Sequence, residues 1–360
     1  MLAYLVVVIF PLFVEGWYKK KVGGYKSLKD NETRNKKIRW RYLFFAALPM
    51  FFLIAFRNQS IGADTNGYLE NFERTINIPW DKLADSSRME YVYLVFVKLV
   101  TYITHSPLGF QIIYTTIYLL ALICFTNELE KEHFLFLFLF GTLGLYTFMF
   151  TGVRQCLAIS FCMFSVKFIK KRKILPFALL MLLSFQFHKS SILFVVAYFI
   201  YSRKLNWINL LIYTVVMIFS VLYLSELQQW FNEQLDYDYG VEGQTGGIIF
   251  SMVMIMITTF TIFVVSSNKS LTKPIQGLIN VGIIATILWV VRIFTRIAER
   301  PSFYFMACSF AAFAYAISTI KDKKEKDIIR VIVVTLSLAL FVYRFFTSHQ
   351  SFIPYAFYLA

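Results

Sequence analysis

Charged side chains are scarce in this chain. They make up 16% of its 360 residues, against 58% hydrophobic and 19% aromatic, and 40 residues are Phe. Mean hydropathy is +0.61. So few polar groups cannot cover a water-facing globule of this length, which excludes a soluble enzyme and a disordered chain. Cysteine is equally thin. Cys124, Cys156, Cys162 and Cys308 all lie in apolar segments, form no Cys-x-x-Cys pair and neighbour no histidine cluster, so neither a disulfide scaffold nor a zinc site is indicated. Internal repeats and low-complexity segments are absent. So are a phosphate-binding Gly-x-x-x-x-Gly-Lys loop, a His-Glu-x-x-His pair and a Gly-x-Ser-x-Gly elbow. Asp236-Tyr237-Asp238 has the letters of a divalent-ion motif but falls in an acidic loop read below as external, where nucleotide-sugars are lacking.

What the chain has is long apolar runs. They occur at about 1–17, 42–56, 110–126, 134–151, 153–169, 174–187, 189–202, 207–224, 248–267, 275–297, 301–320 and 328–346. The expected fold is therefore all-α, a single transmembrane domain over 1–360 with about twelve membrane helices. Met1 opens directly into the first run, which ends at Trp17 without a small-residue cleavage site and so reads as a retained span. The net charge of +15 sits mainly in short loops between runs, so it reports orientation and contact with anionic lipid rather than nucleic acid.

A basic loop at 18–41 carries ten Lys and Arg residues and is expected in the cytoplasm, as are the basic stretches at 170–173, 203–204, 269–273 and 321–326. The loop at 225–247 holds Glu226, Glu233, Asp236, Asp238 and Glu242 without Lys or Arg and reads as external. These sides agree only if an even number of crossings separates the first basic loop from 170–173. The doubtful stretch is 88–104, where Lys98, Thr101 and His105 share one helical stripe, at a cost for a full crossing. We therefore expect it to be an interfacial or re-entrant helix within an outer segment at 57–109, and both termini to be external.

With that orientation, polar residues gather at the outer ends of the spans. They are Arg57, the segment Ser60 to Tyr68 with Asp64, Glu90 with Tyr91, Arg154 with Gln155, His188, Arg344, and the set Arg292, Arg296, Glu299 and Arg300. The last four have helical offsets of 0, 4, 7 and 8 and are expected on one continuous stripe. Arginine forks entering a membrane are costly unless they meet water or an anion, and their geometry matches phosphate oxygens. Plainer readings stand beside these. Glu299 could pair with Arg296 or Arg300, Arg57 could anchor at the interface, Asp64 could cap a turn, and His188 could be an interface residue. His105, His133 and His349 have no supporting partner in the sequence.

Four stretches carry a resemblance: Phe56 to Tyr68, Glu90-Tyr91, Thr151-Gly152-Val153-Arg154-Gln155-Cys156-Leu157-Ala158, and Phe187-His188-Lys189-Ser190-Ser191. In this order they resemble the EpsG-like branch of the Wzy-type polysaccharide polymerases, which show an Arg, a Gly-x-Asp-x-x-x-Tyr segment, a Glu opening an apolar stretch, an Arg-Gln-x-x-Ala and a Phe-His-x-Ser. The resemblance implies a glycosyltransferase at the outer face of the bacterial cytoplasmic membrane. Such an enzyme polymerises undecaprenyl-diphosphate-linked oligosaccharide repeats into exopolysaccharide, capsule or O-antigen. It implies no metal and no cofactor; its partners would be the lipid-linked sugar, membrane lipids and a chain-length regulator, and no nucleic acid.

A departing diphosphate gathers negative charge, so Arg154, Arg292 and Arg296, with Arg57 as a further candidate, are expected to bind it. The attacking hydroxyl needs a base, for which Asp64, Glu90 and His188 are the candidates. Tyr68, Gln155 and Arg300 are expected substrate contacts. Two other classes fit a twelve-span chain: a flippase for the same lipid-linked sugars, and a membrane acyltransferase that modifies polysaccharide. A flippase would need charge reachable from both faces and is often built from repeated halves.

Overall fold

The computed structural model describes residues 1–22, 32–223, 246–348 and 352–358, with isolated positions at 226, 229, 230 and 233. The acidic stretch 234–245, His349 and the middle of the first basic loop lie outside the described residues. Among the described residues the architecture is helical throughout. The one strand-like feature is an isolated antiparallel bridge between Arg57 and Phe357.

Fifteen helices are used below. They are α1 (Leu2–Val22), α2 (Glu32–Ala55), α3 (Thr65–Ile76), α4 (Tyr91–Thr101), α5 (Pro107–Asn127), α6 (His133–Thr142), α7 (Leu145–Phe148), α8 (Val153–Lys170) and α9 (Ile174–Phe187). After a 3-10 segment at Lys189–Val195 come α10 (Val196–Ile200), α11 (Trp207–Leu222), α12 (Ile248–Ser267), α13 (Lys273–Arg292), α14 (Glu299–Thr319) and α15 (Lys323–Ser348).

Among the described residues seven helices are long and apolar enough to cross a membrane: Leu2–Lys21, Lys36–Ala55, Pro107–Asn127, Ile248–Ser267, Lys273–Arg292, Arg296–Thr319 and Lys323–Thr347. The other five apolar runs form shorter or broken elements, namely α6 with α7, α8, the segment at 189–200, α9 and α11. α8 is long enough but carries Arg154, Lys167 and Lys170 in its 18 residues. The helices leave large apolar side chains exposed, among them Phe13, Leu175, Leu179, Trp207, Leu211, Val215, Met252, Phe263, Val331 and Phe346. Lipid is the solvent that makes such faces favourable.

The chain divides into two compact units, the first made of Met1–Phe164, Gln186–His188 and Val331–Ala360, the second of Ser165–Phe185 and Lys189–Arg330. In the first unit α6 is the innermost element, with all ten residues buried. At one end of this unit Arg39 donates from Nε and Nη2 to the side chain and backbone oxygens of Asn127 (2.8 and 2.7 Å), and the Tyr18 ring meets those of Tyr42 and Phe134. At the other end Gln111 donates to the Arg57 carbonyl (3.2 Å) and Tyr4 packs on Phe150 and Phe352. The paired helices α2 and α5 thus run antiparallel between a basic end and an Arg57 end.

This placement bears on the doubtful stretch at 88–104. α4 has 11 residues, roughly 16 Å of rise against a hydrocarbon core of about 30 Å. It leaves and returns at the Arg57 end. Phe96 and Phe72 both pack on Phe110 in the first turn of α5, four residues before Tyr114, which bonds Arg57. The Lys98 ammonium, awkward for a crossing helix, is buried against the end of α3, where it donates to the carbonyls of Thr75 and Ile76 (3.1 and 3.0 Å). It supplies a cation where orphan helix carbonyls gather.

The second unit is organised around α14, in which every residue from Pro301 to Ile317 is buried. Gly282 of α13 allows close approach, since a Cβ there would lie 2.8 Å from the Ser309 Cα. Basic loops meet at one end. Arg172 donates to the Tyr198 carbonyl (2.6 Å), Gln276 and Asn280 to the Arg203 carbonyl (2.9 and 2.7 Å), and Lys326 to Ser318 (3.4 Å). The turn joining α13 to α14, with Arg292 and Glu299, lies at the opposite end, one helix length away.

Candidate functional site

Three chain segments meet at the Arg57 end of the first unit. Glu90 stands at the N-cap of α4, where its backbone is extended enough to leave the helix and its side chain makes no cap bond. Arg154 is the second residue of α8, entered by a tight turn from Phe148 to Gly152, and Tyr118 fixes that start by donating to the Val153 carbonyl (2.8 Å). His188 directly follows α9. Its neighbour Phe187 is wedged among Tyr93, Phe96 and Phe161, with ring centroids 6.3, 5.6 and 5.2 Å away, which sets where the imidazole can lie.

The Glu90 carboxylate joins the other two. Arg154 donates to its Oε2, and His188 Nδ1 lies 3.5 Å from its Oε1. The Glu90 and His188 side chains are buried, and Arg154 keeps 21% of its own exposed. A cation in the first turn of a helix is disfavoured by the helix dipole, so Arg154 is held by the carboxylate rather than by its own helix. Burial by itself would raise the Glu90 pKa. The hydrogen bond from His188 and the Arg154 charge outweigh it and hold the carboxyl down at about 2. Glu90 is thus an ionised anchor at neutral pH and a weak proton acceptor. Chemically, a carboxylate on Nδ1 orients an imidazole so that Nε2 faces away from it, the arrangement of a general base or acid.

The neighbouring Gly62–Tyr68 segment belongs to the same unit. Asp64 is exposed at the N-cap of α3 and makes no side-chain cap bond, so the capping role open in the sequence is not the one it plays. Tyr68 is buried edge-on against Tyr93 (6.2 Å), and Gln155 is buried beside Arg154. Arg57 is fully buried and so is not an interfacial anchor. Its nitrogens bond to the Ile54 carbonyl, Thr65 Oγ1, Tyr114 Oη and the Phe150 carbonyl. Sequence reading missed Tyr114 as its partner. The available signal was a polar file at Gln111, Tyr114, Thr115 and Tyr118, which follows helical spacing inside an apolar run. Arg344 lies in this unit too, its guanidinium close over Gly144.

The other expected set lies in the second unit, and there the stripe is corrected. α13 ends at Arg292, Thr295 is extended, and a new helix starts at Glu299 after a short 3-10 turn at Arg296–Ala298. Pro301 explains the break. Proline lacks the N–H that would bond residue 297 and fits only in a first turn, so the helix has to restart just before it. Glu299 pairs with Arg292 (Nε to Oε2, 2.8 Å), and Arg292 Nη1 also reaches the Gly246 carbonyl (3.3 Å). Arg296 and Arg300 are exposed at the same turn. Among the remaining histidines, His133 is buried with Nε2 at the Leu129 carbonyl (3.0 Å). Among the described residues no three His, Cys, Asp or Glu side chains gather as metal ligands would.

Comparison with known families now adds to the geometry. The model of the EpsG family matches residues 40–357, from the cytoplasm-expected end of α2 to the C-terminal tail that pairs with Arg57. No curated protein and no solved structure matches the chain. The chain belongs to the EpsG family, a family of Wzy-like polymerases.

Proposed function

We propose, from that membership and from the Glu90–Arg154–His188 cluster, that the protein is a glycosyltransferase of the bacterial cytoplasmic membrane. It joins undecaprenyl-diphosphate-linked oligosaccharide repeats into a surface polysaccharide at the outer face. The observation that carries the reading is the buried cluster itself, seated at the end of the first unit remote from Arg39 and its basic neighbours. By the positive-inside rule the Arg39 end of the first unit faces the cytoplasm and the cluster end faces outward, in keeping with the expected twelve crossings and a non-crossing α4.

In this mechanism Arg154 binds the diphosphate of the growing chain. As the glycosyl–oxygen bond breaks, charge builds on the diphosphate oxygens, and a preorganised guanidinium held by Glu90 stabilises it without a metal. His188, oriented through Nδ1 by Glu90, accepts the proton of the incoming sugar hydroxyl as that oxygen bonds the anomeric carbon. Glu90 positions both partners and is too acidic to be the base. Asp64, an exposed carboxylate, suits sugar hydroxyls of the acceptor, with Tyr68 and Gln155 as further substrate contacts. Arg296 and Arg300 offer cations to anionic groups at their own end of the second unit, and Arg292 is partly taken up by Glu299.

The test is a deletion strain analysed for lipid-linked glycans. A polymerase predicts single lipid-linked repeats accumulating on the outer leaflet, with polymer restored by the intact gene. Repeats trapped on the inner leaflet would make the protein a flippase. Full-length polymer lacking an acyl group would make it an acyltransferase.

A further inference from the structure

We infer that Arg57 is a positioning residue that fixes the Gly62–Asp64 turn against the segment leading into Arg154, and is not a ligand of the substrate. The inference rests on the proposed function, in which Arg154 and the Asp64 turn act on one substrate.

Arg57 has no exposed surface, and each of its three guanidinium nitrogens is engaged. Nη1 donates to the Ile54 carbonyl at the end of α2 (2.5 Å) and Nε to Thr65 Oγ1 at the start of α3 (3.3 Å). Nη2 reaches Tyr114 Oη of α5 (3.0 Å), Thr65 Oγ1 (3.2 Å) and the Phe150 carbonyl (3.3 Å). The rings of Phe150 and Tyr114 lie 5.6 and 5.9 Å from its Cζ. Every one of these hydrogen-bond partners is neutral. A buried cation is tolerated only when such acceptors surround it, and a planar fork can serve several segments at once where an ammonium cannot.

The segments it joins are those that carry the candidate chemistry. Thr65 follows Asp64 directly, and its hydroxyl also lies within hydrogen-bond distance of the carbonyls of Ile61 and Phe150 (2.7 and 2.9 Å). Phe150 precedes Arg154 by four residues. Gly62 shows how tightly the two are pressed together. Its φ is +91°, and a Cβ there would sit 2.1 Å from the Phe150 oxygen. Removing the fork or adding a methyl group at Gly62 should therefore move the turn away from Phe150 by two independent routes.

The experiment compares Arg57→Lys and Gly62→Ala in the full-length protein reconstituted in vesicles with a lipid-linked repeat. Each is also combined with Ile61→Cys, which reports on a side chain that is only 2% exposed. Background labelling by a membrane-impermeant maleimide is set by protein without Ile61→Cys. The expected result is labelling of Ile61→Cys at least tenfold faster in both variants. Per folded, monodisperse protein, kcat should fall at least tenfold while KM for the lipid-linked donor stays within twofold. A merely structural role would lower the yield of folded protein without lowering its kcat. Unchanged labelling, or a tenfold rise in KM with kcat held, would overturn the inference, the latter making Arg57 a substrate ligand. Should Arg57→Lys fail to fold, Gly62→Ala carries the test with Arg57 in place. The labelling arm needs no polymer, so a deletion strain with normal chain length would remove the proposed function and still leave the clamp decided.

Discussion

The two arginine–glutamate pairs are built in opposite ways. Arg154 and Glu90 are 64 residues apart in sequence, come from different helices, and share their carboxylate with His188 inside the first unit. Arg292 and Glu299 are seven residues apart and span one turn between consecutive helices of the second unit; here the carboxylate is the more exposed partner (28% against 7% for Glu90), while Arg292 is no more exposed than Arg154. A local pair can serve simply to brace a helix restart. A pair from distant segments with a buried carboxylate has to recover the desolvation of that charge, which fits the proposed role of Arg154 as a cation held for the substrate.

The sharpest way to break this contrast is to remove each cation. Arg154→Ala should lower polymer formation by about 10³, the scale of losing a preorganised donor to developing charge, while the protein still inserts and single lipid-linked repeats accumulate. Arg154→Lys should fail nearly as badly because an ammonium does not reproduce the fork. Glycan profiles of complemented deletion strains give the readout; normal chain length in either variant removes Arg154 from the mechanism. Arg292→Ala should cost less than about tenfold, and an equal loss at both positions would erase the distinction between the pairs.

A smaller effect is expected at the carboxylates. Glu90→Gln leaves Arg154 and His188 without their anchor and should slow turnover by about 10- to 100-fold, with stability reduced by about 3 kcal/mol as for a broken buried pair. Glu299→Gln, at a partly exposed pair, should change stability by less than about 1 kcal/mol and turnover by less than about threefold. Thermal unfolding in detergent alongside vesicle assays separates the two. A Glu299 effect as large as that of Glu90 would mean that function depends on the local turn no less than on the distant cluster.

The contrast also explains which parts were legible in the sequence. Apolar runs could be placed because lipid enforces them residue by residue, and the run that becomes α4 could be marked as doubtful because Lys98 stood out. The break between α13 and α14 was misread as one stripe, although Pro301 carried the signal and only its position in the first turn was needed to see it. The break after α6 sits at Gly144 in an otherwise apolar stretch, with little to mark it. For the first unit the motifs put Glu90, Arg154 and His188 into one set of candidates. Their separate roles depend on burial and on who shares the carboxylate, which spacing does not encode. Arg57 shows the same limit: in sequence it stands beside the Gly62–Asp64 turn like a ligand, and the support for its proposed role as a clamp comes only from its enclosure by Thr65, Tyr114 and two carbonyls.

The smallest effect is one of pH. Glu90 has a folded pKa of about 2 against an ordinary 4.5, so its ionised form is favoured by folding. Stability drawn from it is complete above about pH 4.5 and is lost as pH falls from there toward 2. The difference in unfolding temperature between wild type and Glu90→Gln should accordingly stay constant from about pH 8 to 5 and shrink only below about 4.5. Glu299→Gln should give a small difference throughout. A Glu90 difference that instead stayed unchanged down to about pH 2 would show that folding draws no stability from the ionised carboxylate and would overturn the depressed carboxyl.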